Sequence, residues 1–428
     1  MFKRFLGIVC MLLICSNAYA AVSLRMDDGA ALVTADGKTV VPDGEYSDIV
    51  SLGGGLFAAQ SGNGYMLMDA EGRLISGEEY THITNGVHTI IAEKGGALGL
   101  IDQNGHEESE FRYSSITPDE SGMCWALYGS TGSAMGRKLY ILHGDKWESE
   151  TDMHLLSIGE TPYQGLLSAR TIDGKYGYID RNGKMTIDAQ YQYASDFING
   201  CAAAVVNDRF GAIDTTGAFI IPAEYDFLEV SKYGYIIAAQ STGRVAIFDM
   251  QSVLLDEYFG ENISIATVGR FYTVCDDISL RVYSDEHEML FEVPPYASVY
   301  EGIGDQLLVS DGIFGGHSVR IHGTENKYQN LYSLGMIDGE AVYASVSINA
   351  VKYENHTLGE TQYSLDMNSV RYGAVDARGE VLLESEYLTL AAVGENRLLA
   401  ETENQWQMID IHGNVYWSRD IKTEASAE

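Results

Sequence analysis

The sequence predicts an all-β chain made of about eleven small four-stranded antiparallel units. Two observations lead there. A short phrase recurs at nearly constant intervals, and each copy breaks into strands with no helical periodicity. GKYGYIDRNGKMTIDAQYQY (Gly174 to Tyr193) is followed by DRFGAIDTTGAFIIPAEYDF (Asp208 to Phe227), matching at Gly177/Gly211, Asp180/Asp214, Gly183/Gly217, Ile187/Ile221 and Tyr191/Tyr225.

The phrase turns on Asp-x-x-Gly. It appears at Asp69–Gly72, Asp102–Gly105, Asp180–Gly183, Asp214–Gly217, Asp376–Gly379 and Asp410–Gly413. Degenerate copies turn at Gly37, Gly144, Ser252, His287 and Gly323. Steps between these slots are 35, 33, 39, 39, 34, 35, 35, 36, 56 and 34 residues, with insertions near 145–172 and 324–370. Within a copy such as 225–259, an apolar run (Tyr235 to Gln240) and an alternating run (Arg244 to Asp249) lie between shorter strands, punctuated by Gly, Ser and Asp.

Each recurring residue has a physical cause. The Asp carboxylate accepts backbone N–H groups and closes an Asx turn. The Gly supplies the positive φ of the hairpin, so Ser252 and His287 in that slot predict a changed turn type. Gly99, Gly177, Gly211 and Gly373 within strands are expected to admit an aromatic ring or a neighbouring sheet. Tyr80, Tyr113, Tyr191, Tyr225 and Tyr387 follow the turn glycine by eight residues and are expected to pack between sheets with the hydroxyl at the rim.

A sheet this small cannot bury its faces alone, so the units must stack. A radial array, the β-propeller, is favoured, and an open solenoid-like array is the alternative. The first copy starts with its second strand while the last has all four, so no strand is left to clasp a ring. One ring, two rings split near 145–172 or 324–370, and an open array all fit. Residues 21–423 form the repeat region and 424–428 a polar tail.

Residues 1–20 read as a signal peptide: Lys3 and Arg4, an apolar run from Leu6 to Cys15, and Ala18-Tyr19-Ala20 before cleavage at Ala20/Ala21. The chain is therefore expected to be exported: extracellular, at the cell surface or periplasmic. No later apolar run is long enough to span a membrane. The net charge is −34, and loss of Lys3 and Arg4 takes it to −36. That charge argues against nucleic acid and anionic membranes as partners. Cys124, Cys201 and Cys275 are too few for a disulfide scaffold and read as small buried apolar residues, with one bridge left open.

With these residues quoted, Tyr176-Gly177-Tyr178-Ile179-Asp180-x-x-Gly183-Lys184, then Ile187, Tyr191, Phe197, Gly200 and Ala202, resembles the WG-repeat (KWG-repeat) family of bacteria, with Tyr-Gly or Phe-Gly in place of Trp-Gly. The resemblance implies a secreted or surface-exposed all-β repeat protein and transfers no catalytic residues.

Chemistry is sparse. There is no Gly-x-Ser-x-Gly elbow, no zincin helix and no Cys-x-x-Cys, and Gly53-Gly54-Gly55 precedes a strand. His106, His143, His287, His322 and His412 lie at equivalent turns, a whole repeat apart, which argues against a shared metal. Asp27-Asp28 and Asp276-Asp277 offer at most weak Ca²⁺ binding, and no cofactor is expected. The sequence thus predicts a non-catalytic, monomeric scaffold whose loops bind a protein or glycan at the cell surface. Trp147 and Tyr163 are the candidate ligand-loop residues. A propeller-type hydrolase or lyase using carboxylates on polysaccharide is the alternative.

Overall fold

A computed structural model describes residues 21–421, apart from 27–28, 78, 86–88, 134, 144–147, 311–318, 324–329, 356–359 and 395. Among these residues there is no helix. Among these residues the chain forms nine antiparallel sheets with strands paired in sequence order, eight of three or four strands and one of ten strands from His82 to Tyr191. The repeat and the packing clusters divide them into eleven successive units: 21–46, 48–80, 82–111, 113–155, 155–191, 193–225, 227–259, 264–293, 298–321, 332–387 and 389–420.

The local geometry follows from the repeat. In the turn, one carboxylate oxygen of the Asp accepts the backbone N–H groups two and four residues on. The distances are 2.8 and 2.9 Å at Asp180, 2.9 and 3.1 Å at Asp214, and 2.8 and 2.8 Å at Asp376. Next, the fourth strand bulges over the mid-strand glycine. Tyr176 opposes Tyr191 and Tyr178 opposes Ile187, so four residues of one strand span two of the other. A Cβ on Gly177 would stand 2.5 Å from the Ile187 carbonyl oxygen, and one on Gly211 2.6 Å from that of Ile221. The expectation of an approaching ring holds at Gly99, which faces Phe111, and at Gly211, where Phe219 Cε1 would stand 2.8 Å from a Cβ beside the backbone of its own sheet. It is corrected for Gly177 and Gly373, which are crowded by the backbone of their own sheet. The bulge returns the fourth strand to register with Tyr191 buried.

A second expectation fails. Ser252 and His287 do not change the turn. They hold φ of +62° and +65°, and their N–H groups donate back to Asp249 and Ser284, as Gly183 does to Asp180. Asp249 and the Ser284 hydroxyl make the same two side-chain-to-backbone bonds as in the glycine turns. These bonds offset a left-handed penalty of about 1–2 kcal/mol.

Packing between units decides the architecture. Every hydrophobic cluster joins two successive units. One holds Ile187, Tyr191, Phe197 and Ala204; the next holds Tyr225, Leu228 and Ile236. The last pairs the two ends of the chain, with Leu24, Ala31 and Val33 against Leu399, Trp406 and Met408. Trp417 Nε1 also donates to Thr39 Oγ1 at 3.0 Å across 378 residues, and Arg419 meets Asp43 at 2.7 Å. The units therefore close into one ring, a β-propeller. Closure needs no clasping strand, because the first sheet packs on the last as any unit packs on its predecessor. First strands of neighbouring units touch, as Asp48–Gly53 does with His82–Asn85, so they line the centre.

The insertion near 145–172 is structural over its described part. Glu148–Ile158 is one strand that pairs with Arg137–Leu142 and then with Leu167–Thr171, closing one unit and opening the next. The insertion near 324–370 includes a long hairpin, Glu340–Asn355 with Glu360–Asp376, which continues past the sheet from Asn349↔Asp366 to Asn355↔Glu360.

Candidate functional site

The repeated carboxylates are occupied by their own turns. Besides its two backbone bonds, Asp69 binds Arg73, Asp102 lies 3.1 Å from His106 Nδ1, Asp376 binds Arg378, and Asp410 binds Asn414. All four titrate below the ordinary carboxylate value. Burial pulls them upward but is outweighed by these donors. The turn glycines serve the joint between units. A Cβ on Gly72 would press on Val41 and Val40 of the preceding unit, at 2.8 and 2.9 Å, and one on Gly217 on Ile187 at 2.7 Å. Gly105 faces Ser76, Gly183 faces Leu139, and Gly413 faces Leu383. Gly379 has a positive φ of 78°.

The recurring tyrosines are buried in the unit interfaces. The Tyr191 hydroxyl donates to the Gly217 carbonyl of the next unit at 2.7 Å, and Tyr113 to Glu148 at 2.5 Å. Tyr163 is half-buried against Phe197, with its backbone bonded both ways to Leu166, so it is part of the joint between units 5 and 6. Trp147 and Asp27-Asp28 lie outside the described residues. Asp276 accepts from Ile278, Ser279 and Arg281, while Asp277 accepts from Asn262. Among the described residues no three His, Cys, Asp or Glu side chains converge as a metal set. Cys124, Cys201 and Cys275 are free.

An open groove of about 300 Å³ lies between units 5 and 6. It runs along the strands that face the ring centre. Ser157, Glu160, Thr161 and Ser168 line one end with Asp196; Arg170, Tyr176 and Tyr193 line the other. The Asp196 carboxylate fixes the loop, accepting the N–H groups of Glu160 (2.8 Å), Thr161 (2.9 Å) and Ser168 (3.3 Å). Tyr178 braces the wall by donating to the Ser195 carbonyl at 2.6 Å. Burial, with Asp196 and its tyrosine neighbours adding, holds its hydroxyl far above the usual phenol range.

The rings of Tyr176 and Tyr193 lie 5.6 Å apart at 59°, and Phe210 continues the row 6.3 Å beyond Tyr193. The Arg170 guanidinium lies 5.5 Å from the Tyr176 centroid, and its Nε donates to the Gly174 carbonyl at 3.3 Å. Tyr193 is 43% exposed despite its place at the centre of this row.

Sequence reasoning missed Tyr193, Arg170, Glu160 and Asp196. A signal was present. Tyr193 follows the repeat tyrosine by two residues, where other units carry Asp48, His82, Phe227 and Thr389. A variable residue at a fixed repeat position on an inner strand marks a surface the repeat leaves free.

The chain is thus a repeat-built β-propeller. The WG containing repeat matches residues 99–130, 176–209 and 210–240, and the chain carries WG repeats there. Each match begins in the third strand of one unit and ends at or just past the second strand of the next, so the sequence repeat straddles the joint that its tyrosine and glycine build. No curated protein matches it in sequence. Among solved structures, the chain is similar to BamB from Moraxella catarrhalis, at 14% identity over 69% of this chain and 97% of that one, TM-score 0.32. It is similar also to apo AztD from Citrobacter koseri, at 10% identity over 64% and 94%, TM-score 0.30. A third likeness is to Hsv2p from Kluyveromyces lactis, at 8% identity over 68% and 96%, TM-score 0.31. The architecture assigned to this chain rests on its own sheet order and interfaces.

Proposed function

We propose that this protein is an exported, non-catalytic scaffold that binds a protein or glycan outside the cytoplasm. One observation carries this reading. The carboxylates that recur in most repeats are occupied by their own turns, whereas side chains that vary between repeats gather in an open groove. Rigid repeats with variable inner positions suit recognition, because holding the groove in shape costs little when the ligand arrives. The leader-like residues 1–20 and the high negative charge fit an exported, monomeric protein. No helix among the described residues is long and apolar enough to cross a membrane.

The test has two arms. Cell fractionation with N-terminal sequencing should find the chain outside the cytoplasm, starting at Ala21. Incubation with polysaccharides should give binding without new reducing ends. An uncleaved cytoplasmic chain, or catalytic release of sugar, sinks the reading.

A further inference from the structure

We propose that the groove between units 5 and 6 is a saccharide-binding site for neutral pyranose chains, with Tyr193 and Tyr176 as the stacking platform and Arg170 as the hydroxyl clamp. This rests on the reading of the chain as a binding scaffold and names the ligand class for it.

The groove presents two kinds of surface side by side. Tyr193 and Tyr176 offer ring faces at one end, and Tyr193 keeps 43% of its surface in solvent although Tyr176 and Phe210 flank it. An exposed tyrosine held between two aromatic neighbours is rigid, so stacking a ligand on it costs little side-chain entropy. At the other end stand the hydroxyls of Ser157, Ser168 and Thr161 and the carboxylate of Glu160. Arg170 stands with the tyrosines, 5.5 Å from the Tyr176 centroid. A guanidinium has five N–H donors. Nε is spent on Gly174, and the Tyr176 ring fixes the plane of the fork.

A sugar ring is built for such a place. Its C–H face packs on an aromatic ring while its rim of hydroxyls needs donors and acceptors at once. The groove supplies both kinds. A purely apolar ligand would strand Arg170 and Glu160, and a fully charged one would leave the tyrosine faces unused.

Charge selects the neutral class. The chain carries 61 acidic residues against 27 basic ones, and Glu160 and Asp196 stand within the groove itself. Polyanionic glycans would approach against that field.

The experiment uses the exported chain and titration calorimetry. Probes are cellohexaose, xylohexaose, mannohexaose and maltohexaose as neutral chains, with hexagalacturonate as the anionic one and an unstructured polar peptide of similar length. At least one neutral hexasaccharide should bind saturably. Tyr193→Ala and Arg170→Ala should each weaken it about tenfold. Tyr193→Phe, which keeps the ring, should stay within about threefold. Melting curves verify folding; should Tyr193→Ala unfold, Arg170→Ala and Tyr193→Phe still decide the matter. The proposal falls if no neutral probe binds, if hexagalacturonate or the peptide binds in preference, or if neutral binding ignores Arg170→Ala. Failure here combined with export and binding elsewhere on the ring would leave the scaffold reading standing. Turnover of a probe would remove that reading instead.

Discussion

Gly37 in the first unit lies directly against the Tyr416 carbonyl in the last, so closely that a Cβ on Gly37 would overlap it. The same relation holds between Gly72 and Val41 and between Gly217 and Ile187, where a turn glycine sits on the fourth strand of the preceding unit. The closing joint is thus one more copy of the internal joint, made between chain ends.

Gly37→Ala should therefore cost more than a left-handed glycine replaced elsewhere. Gly37 and Gly62 both have positive φ, +89° and +62°, but nothing lies within 4 Å of a Cβ on Gly62. Gly62→Ala should cost about 1–2 kcal/mol from backbone strain alone. Gly37→Ala adds overlap with a carbonyl and should cost at least about 1–3 kcal/mol more, as overpacking does. Urea unfolding of the two variants makes the comparison. Equal losses would mean that the ring is not closed through this contact.

The internal joints have a polar component that can be removed alone. Tyr191 is fully buried, and its hydroxyl donates to the Gly217 carbonyl across the interface. Tyr191→Phe keeps the ring and should cost about 0.5–1.5 kcal/mol. Tyr191→Ala also empties the interface and should cost about 3–5 kcal/mol. A Phe variant as stable as the parent would show that ring packing alone holds units 5 and 6 together.

The two non-glycine turns make opposite forecasts. Ser252 makes only a local bond, from its hydroxyl to the Gln251 carbonyl, so Ser252→Gly should relieve strain and stabilise by up to about 1 kcal/mol. His287 instead packs 5.7 Å from the Tyr272 ring and places Nδ1 3.2 Å from its hydroxyl. His287→Gly gives up that packing and should not stabilise. Thermal melts of both variants check the difference in sign.

Most of the repeat was legible because its constraints are local. An Asp carboxylate binding its own turn and a glycine with positive φ act within five residues, and periodic sequence exposes them. The bulge over Gly177 was not legible, since it depends on how Met185–Tyr191 lies across Tyr176–Ile179. Closure was hidden for a related reason. Counting strands suggested an open end, yet what seals the ring is burial of Leu24 and Val33 against Leu399 and Met408, which no strand count contains. The groove escaped because Tyr193 comes from a different unit than Arg170 and Glu160, and none belongs to a recognised motif.

Acid should weaken the ring through the turns. Asp69, Asp102, Asp214, Asp376 and Asp410 all have folded pKa values below the ordinary one. At Asp214 the Thr216 hydroxyl is the leading cause, at 2.6 Å, ahead of the opposing effect of burial. A depressed folded pKa gives stability that is fully present above the unfolded value of about 3.9 and is lost as pH falls through the folded value. These groups should thus leave the urea midpoint unchanged between about pH 5 and 7 and lower it progressively below about pH 4. Asp214→Asn keeps an acceptor oxygen for the backbone but cannot be protonated in this range, so its loss of midpoint below pH 4 should be smaller than the parent's. Urea titrations at pH 3, 4, 5 and 7 on both proteins provide the measurement. Parallel acid limbs would show that the turn carboxylate at Asp214 does not contribute to the acid response.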